Sequence, residues 1–471
     1  MINKKIKKGV CITMACLTVL SATACNGDDI KPGLPNYEQI QAEEMTFGAW
    51  YGPKPTLQEF QQFKDCGFNL LFILGHLTGW IGEPEVEKAL ELCDTLGIKA
   101  FVDGTHEEEK MKTLVTKYKR YSSFQGFNYD EPVLYNNKIN QAKGLIPLSP
   151  FVEEFAKNHP DVEFLVNLNP CSNLSFEWGT PPFTYDEYLD AVESCVNVHY
   201  KDTNVRKWLS CDDYPLYVDK SRRNPYYLKE LWLCCLEHLA EEKRVSKLGL
   251  TSHFFIQSMP FGWDTDAQSR NRIPSYNDLR LQLYTVMAFG YDAVSFFCYA
   301  MPPTGVEFME DQYALLDRDG NKTHIYDDTK KVIGEVKKFS NTYMQFNDGW
   351  QGVYPVLGSN NVAKNAYYYN AGFDSLQHRL SAVKGVQNVT ATEDTLLGLL
   401  QDKDGRPGYV IVNYNDTTKN VTDSVEITLK NYDRALVFVD GEKRDVALVN
   451  GKLKLNLGVG EGVFVIPYLS E

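Results

Sequence analysis

The sequence has no CxxC pair, no cysteine–histidine spacing of the zinc-ligand type, and no cysteine after Cys298. Zinc ribbons and thioredoxin-like redox motifs are therefore excluded. Of eleven cysteines, Cys11, Cys16 and Cys25 lie near the N-terminus. The others, Cys66, Cys93, Cys171, Cys195, Cys211, Cys234, Cys235 and Cys298, fall mostly in apolar periodic segments. They read as small core residues, and few or no disulfides are expected. Basic residues, 48 Lys and Arg, are outnumbered by 62 Asp and Glu, and the formal net charge is −14. That argues against nucleic acid, whose phosphates need basic patches. After the first 25 residues no apolar run is long enough to span a membrane. No G-x-G-x-x-G follows the first expected strand; Gly48-Ala49-Trp50-Tyr51-Gly52 stands there instead, which disfavours an open dinucleotide-binding sheet. Repeats and low-complexity segments are absent.

What is present begins with an address. Lys4, Lys5, Lys7 and Lys8 form a basic stretch, residues 10–20 are mostly apolar, and Ala22, Thr23 and Ala24 precede Cys25. The apolar run is too short for a comfortable span. The pattern resembles a bacterial lipoprotein signal, with cleavage before Cys25 and lipid on its thiol. It departs from the strict form in having Ala22 where leucine is usual. Asn26-Gly27-Asp28-Asp29 resembles the acidic surface-export tag of lipoproteins from glycan-scavenging Gram-negative bacteria. The resemblance implies a signal peptide over 1–25, export, an outer-membrane lipid anchor and surface exposure. Residues 26–44 are polar, with Pro32, Gly33 and Pro35, and read as a linker.

From Met45 onward strand and helix signals alternate. Strands are expected over 47–50, 68–74, 98–102, 124–129, 162–168, 207–211, 248–257 and 293–299. Thr56 with Glu59 opens a helix. Pro84 starts the next and Gly97 stops it. Further helices are expected over 107–121, 151–157, 185–196, 226–242, 276–289 and 328–346. The continuous apolar run 68–74 suits a strand buried on both faces. Eight strands alternating with helices predict an α/β fold, a (β/α)8 TIM barrel over 45–347. After residue 348 the pattern becomes short strands over 409–413, 425–429, 435–439, 453–457 and 463–466. Turns at Asp440-Gly441, Asn450-Gly451 and Gly460-Glu461-Gly462 separate some of them. A C-terminal antiparallel β-sandwich over 348–471 is expected.

In barrels the working residues gather at the C-terminal ends of strands. Taking the strands in order, those positions hold Trp50 and Tyr51, then His76, Trp80 and Glu83, then Asp103 and His106. Next come Asp130 and Glu131, then Asn167, Asn169 and Glu177. The last three strands bring Asp212, Asp213 and Tyr214, then His253, Gln257, Trp263 and Asp264, and finally Tyr299. The expected rim is acidic, aromatic and amide-rich, with no Lys/Arg cluster to hold phosphate. The chain carries 28 Tyr, 25 Phe and 7 Trp, and rings beyond those needed for core suit sugar faces. Trp50, Tyr129, Asn169, Tyr214, His253, Gln257, Trp263 and Tyr299 are the candidate substrate contacts. No metal loop of calcium type is found, and neither a metal nor a cofactor is expected.

Phe127-Asn128-Tyr129-Asp130-Glu131-Pro132 is the sharpest stretch. Its end resembles the acid/base position of barrel glycoside hydrolases. The run from Gly320-Asn321-Lys322-Thr323 to Trp350 resembles the barrel end of bacterial β-galactosidase-like glycosidases, and the final sandwich resembles their appended domain. The resemblance implies a carbohydrate substrate and Glu131 as general acid. Adjacent Asp130 should titrate with it as a coupled pair and keep Glu131 protonated near neutral pH. Retaining members of that clan carry a nucleophilic Glu after strand seven, where this chain has Ser252-His253-Phe254-Phe255-Ile256-Gln257. Three partners stay open: Asp212 or Asp213 as base of an inverting reaction; Asp130, as in hexosaminidases whose Asp-Glu pair orients a 2-acetamido group; or an unrecognised nucleophile. The alternative in another class is a non-catalytic surface glycan-binding lipoprotein on a degenerate barrel. A structural lipoprotein with no glycan partner is a third.

Overall fold

The computed structural model describes residues 32–40, 42–75, 80–105, 107–130, 157–168, 170, 206–218, 232–246, 249–262, 271–305, 308–361 and 383–471. Within them, eight strands form a closed parallel barrel in sequence order. They are β1 (Thr46–Ala49), β2 (Leu70–Ile73), β3 (Lys99–Asp103), β4 (Phe124–Asp130), β5 (Glu163–Leu168), β6 (Lys207–Asp212), β7 (Leu250–Gln257) and β8 (Ala293–Phe297). Pairing of β8 with β1 closes the ring. Side chains alternate across each strand. One file, such as Phe127, Leu209 and Phe254, packs outward into the main core. The other, such as Phe72, Phe101, Leu165 and Trp208, fills the lumen.

Helices alternate with these strands as the turn signals require. Thr56 caps α1 (Leu57–Cys66), its hydroxyl accepting from the Glu59 N–H at 3.3 Å. α2 (Val86–Leu96), α3 (Glu108–Tyr118), α4 (Leu233–Ser246) and α5 (Tyr276–Ala288) follow. The helix expected over 328–346 is two, α6 (His324–Lys337) and α7 (Ser340–Tyr343). It starts early because Thr323 supplies the N-cap. It breaks at Phe339, whose ring leaves the helical path to stack 5.4 Å from Phe438. The six described cysteines, Cys66, Cys93, Cys211, Cys234, Cys235 and Cys298, are buried and form no disulfide with one another. Among the described residues no helix is long and apolar enough to cross a membrane.

Two antiparallel sheets follow. β9 (Gly352–Val356), β11 (Thr395–Gln401), β12 (Pro407–Asn413), β14 (Arg434–Val439), β15 (Glu442–Ala447) and β17 (Gly462–Tyr468) make a six-stranded sheet. β10 (Val386–Ala391), β13 (Asp423–Leu429) and β16 (Lys452–Leu457) make a three-stranded one. Asp440-Gly441, both at positive φ, turn β14 into β15, as a tight hairpin demands. The two sheets share one apolar cluster, with Ile411 and Val465 from the larger and Val425 and Ile427 from the smaller.

α5 lies between the barrel and the larger sheet. Its Leu283 belongs to the same apolar cluster as Phe127 of the barrel and Val410 and Phe464 of the sheet. A buried ion pair fixes its start. Arg272 reaches both carboxylate oxygens of Asp278 at 2.5 Å, and Thr417 donates to the same group. Ser275 and Asp278 complete a capping box. Burial opposes the Asp278 charge, yet the bonds and charge of Arg272 hold its carboxyl below the usual range. Removing one partner strands the other charge, so Arg272→Ala should cost about 3–5 kcal/mol, read as a lowered urea midpoint.

Candidate active site at the barrel mouth

The alternation along β6 separates two adjacent aspartates. Trp208, Ser210 and Asp212 share the lumen file, whereas Leu209, Cys211 and Asp213 share the outer one. Asp213 is 4% exposed. Its carboxylate accepts from the Tyr214 N–H at 2.9 Å and from the Cys235 thiol of α4 at 3.3 Å. Asp212 ends the strand at the mouth, half-buried.

A continuous hydrogen-bonded chain rises through the lumen to Asp212. The Asn167 amide nitrogen donates to Asp212 Oδ1 at 2.8 Å, and Ser210 donates to Asn167 Oδ1 at 2.8 Å. A serine has one proton, so Ser210 must accept from His253 Nδ1, 2.7 Å away. His253 Nε2 then accepts from Ser295, also at 2.7 Å. Ser295 fits because residue 48 is glycine; a Cβ there would meet its hydroxyl at 2.3 Å. Burial pushes the His253 imidazole down to about 3, so the ring is neutral and its tautomer is set. His253 is fully buried with both nitrogens engaged. Expected as a rim contact, it is instead an interior residue, because its register partner on β8 is Ala293, at the strand's start.

Lateral register brings further polar residues to the same rim. Asp130, the last residue of β4, pairs with Asn167, and Asn167 pairs with Ser210. On the other side Asn128 pairs with Asp103 at the end of β3. Asn128 is 3% exposed, and neither polar atom of its amide has a partner among the described residues. Buried amides are rarely left so, and a hydroxyl could both accept from and donate to this one.

Aromatic side chains occupy the strand ends around β8 and β1. The Phe297 ring lies 5.1 Å from Tyr214 and 6.2 Å from Phe308, while Tyr51 meets Phe308 edge-on at 6.4 Å. All four are half-buried. Tyr51 holds φ at 54°, a left-handed conformation that costs a bulky residue energy and recurs at functional sites. Phe297 and Phe308 were not among the residues singled out from sequence; Phe297 is the lumen-file partner of Gln257, a clue visible only once strand parity is known. The peptide after Phe297 is cis.

No family model matches this sequence, and no curated protein matches it. Solved structures do. A GH27 β-L-arabinopyranosidase from Geobacillus stearothermophilus is 12% identical, with 92% of this chain and 98% of that one covered and a TM-score of 0.43. A glycoside hydrolase family 5 protein from Bacteroides vulgatus is 10% identical, with coverage of 90% and 89% and a TM-score of 0.41. A β-galactosidase from Marinomonas ef1 is 12% identical at a TM-score of 0.39, over 64% of this chain. The match spans 62% of that enzyme's length, and 58% of a β-galactosidase from Halorubrum lacusprofundi.

Other expected contacts lie away from the mouth. Tyr129 falls in the outer file, its hydroxyl donating to the Thr105 carbonyl at 3.0 Å. Tyr299 is fully buried in the helical layer against Phe63 and Phe68, since β8 stops two residues before it. Trp50 is 6% exposed and packs on Phe72 and Phe255, as lumen filling rather than a platform. Gln257 is fully buried; it accepts from Leu216 and Asn271 and donates to the Met259 and Arg272 carbonyls, tying the loops after β6 and β7 together. Of the remaining sites, Glu131, Asn169, Trp263 and Cys25 lie outside the described residues, as do His76, His106, Glu177 and Asp264. Among the described residues no group of three or more His, Cys, Asp or Glu could hold a metal ion.

Proposed function

We propose that this chain is a glycoside hydrolase acting on an extracellular oligo- or polysaccharide, with Glu131 as general acid and Asp212 as its partner. The observation that supports the reading is the register that pairs Asp130 with Asn167, together with the hydrogen bond by which the Asn167 amide holds Asp212, two residues past its own β6 partner Ser210. Glu131 follows Asp130 directly in the sequence. In this scheme Glu131 protonates the leaving glycosidic oxygen. Asp212 takes a proton from the water that attacks the anomeric carbon, so the product is inverted. Asp213 is left out of the pair because its oxygens are spent on Tyr214 and Cys235. Asp130 as partner instead would require a 2-acetamido substrate. Tyr214, Phe297 and Phe308 would offer ring faces to the sugar, and the Asn128 amide a hydroxyl contact.

The same reading makes the protein an exported lipoprotein, anchored through Cys25 to the outer membrane and exposed at the surface. It takes the two C-terminal sheets, with their shared apolar cluster, as the halves of a β-sandwich. The test is a panel of aryl glycosides and oligosaccharides, assayed for reducing-end release and for anomeric configuration. Release from at least one member is expected. The consumption of Gln257 in loop contacts, at a strand end with no carboxylate, favours a second reading as a glycan-binding protein. That reading predicts saturable binding without cleavage.

A further inference from the structure

The N-terminal segment crosses the face of the barrel opposite the mouth. α6 fixes the two ends. It begins just past the Leu316–Tyr299 backbone bond beyond β8. Its 14 residues descend about 21 Å. It ends at Lys337, whose ammonium lies 5.9 Å from the ring of Phe47 near the start of β1. α7 and residues 345–346 therefore sit at the N-terminal ends of the strands. There Gln345 donates to the Tyr37 carbonyl at 2.8 Å, and Phe346 lies 5.2 Å from the Tyr37 ring. The Tyr37 phenol, buried, donates to Asp402 at 2.9 Å; burial and the Asp402 charge push it up. Gly33 donates to the Leu469 carbonyl at 2.8 Å, and Glu43 meets Arg206, one residue before β6, at 3.0 Å. Gly33 and Tyr37 are thus tied to the ends of the larger sheet and to the turn after α7, and Glu43 to the N-terminal end of β6.

We infer that this segment is an orienting brace. In the chain anchored at Cys25 it holds the N-terminal face of the barrel toward a lipid surface and turns the mouth to the medium. The inference rests on the lipoprotein reading above. From Cys25 to Pro32 a chain reaches at most about 25 Å. An inverted pose would need that tether drawn taut along the barrel flank, against its conformational entropy. The mouth would then press on the bilayer. With the brace closed, the mouth stands at least the depth of the barrel further from the lipid. A polymer too bulky to enter between protein and membrane then meets the carboxylates directly.

The experiment uses the full-length chain expressed in a lipidating bacterium. Cys25→Ser should move the protein from the membrane to the soluble fraction; if it stays with the membrane, the lipid reading fails whatever the orientation. For orientation, single cysteines replace exposed Thr95 at the C-terminal end of α2, or exposed Thr304 beyond β8. Each is labelled with a donor dye, with labelling of the unsubstituted protein subtracted. The protein is reconstituted into phosphatidylethanolamine/phosphatidylglycerol vesicles carrying an acceptor lipid. Energy transfer should be about twofold greater from position 95 than from 304, given the ~20 Å helical depth between them. Equal or reversed transfer overturns the inference. Tyr37→Ala should shrink the difference, and the milder Asp402→Asn should do so in part. A difference untouched by both would show that the brace does not set orientation.

Discussion

Asp212→Asn is expected to lower kcat by about 10²–10⁴-fold, the usual worth of a positioned acid or base, with little change in stability. Glu131→Gln should fall in the same range. Asp213→Asn, one residue along, should leave kcat near that of the unsubstituted protein. It should instead cost stability, about 1 kcal/mol for weakening a buried hydrogen-bonded pair, because Asp213 faces α4 and Cys235. The contrast between neighbours is the informative part. A mouth that merely tolerates acidic residues would show no such split. Equal losses of kcat at 212 and 213, on any glycoside that the protein proves to cleave, would refute the assignment of Asp212. Ser210→Ala should give a smaller fall in kcat, since it loosens Asn167 and so the orientation of Asp212 without touching substrate.

Acidification should weaken the fold before carboxylates begin to titrate. The His253 imidazole has an ordinary value of 6.5 and a folded value of about 3, set by burial. In the unfolded chain it takes a proton as pH falls through 6.5; in the folded chain it stays neutral until about 3. Its contribution is therefore fully present above pH 6.5 and is lost progressively between 6.5 and 3. At 1.36 kcal/mol per unit, about 2–3 kcal/mol is lost by pH 4.5. Urea midpoints measured at pH 7, 5.5 and 4.5 check this. His253→Gln should lower the midpoint at pH 7 but flatten its fall over that range. A midpoint independent of pH between 7 and 4.5 in the parent protein would contradict a neutral interior histidine.

The barrel was legible because its strands are buried on both faces and so read as apolar runs between turn signals. Their order along the chain is also their order around the ring. The rim was legible only in part. A strand end announces which residues arrive there, but not which of two neighbours faces inward. Parity decides that, and parity depends on register with the adjacent strand. Hence Asp212 and Asp213 were indistinguishable in sequence, and Tyr129 and Tyr299 read as contacts although one packs outward and the other lies past the strand. The polar chain through Ser210, His253 and Ser295 could not be seen, because its members sit on three different strands and meet only through the lateral register of β6, β7 and β8. In the C-terminal region β15 was missed because Glu442, Lys443, Arg444 and Asp445 are charged and exposed on an edge, where no apolar alternation is required. β11 was missed because its run of leucines around Gly398 has neither β-branched residues nor alternation.

The position of α5 has a consequence for how this molecule comes apart. Its side chains belong at once to the barrel and to the larger sheet, and Arg280 spans to Asp440 and to the Val459 carbonyl. Neither half can melt without exposing the apolar surface of the other. Amide protons of α5, β7 and β12 should then exchange with solvent at one common free energy, that of global opening. A chain cut after β8 would behave as an unfinished core rather than as a smaller folded protein.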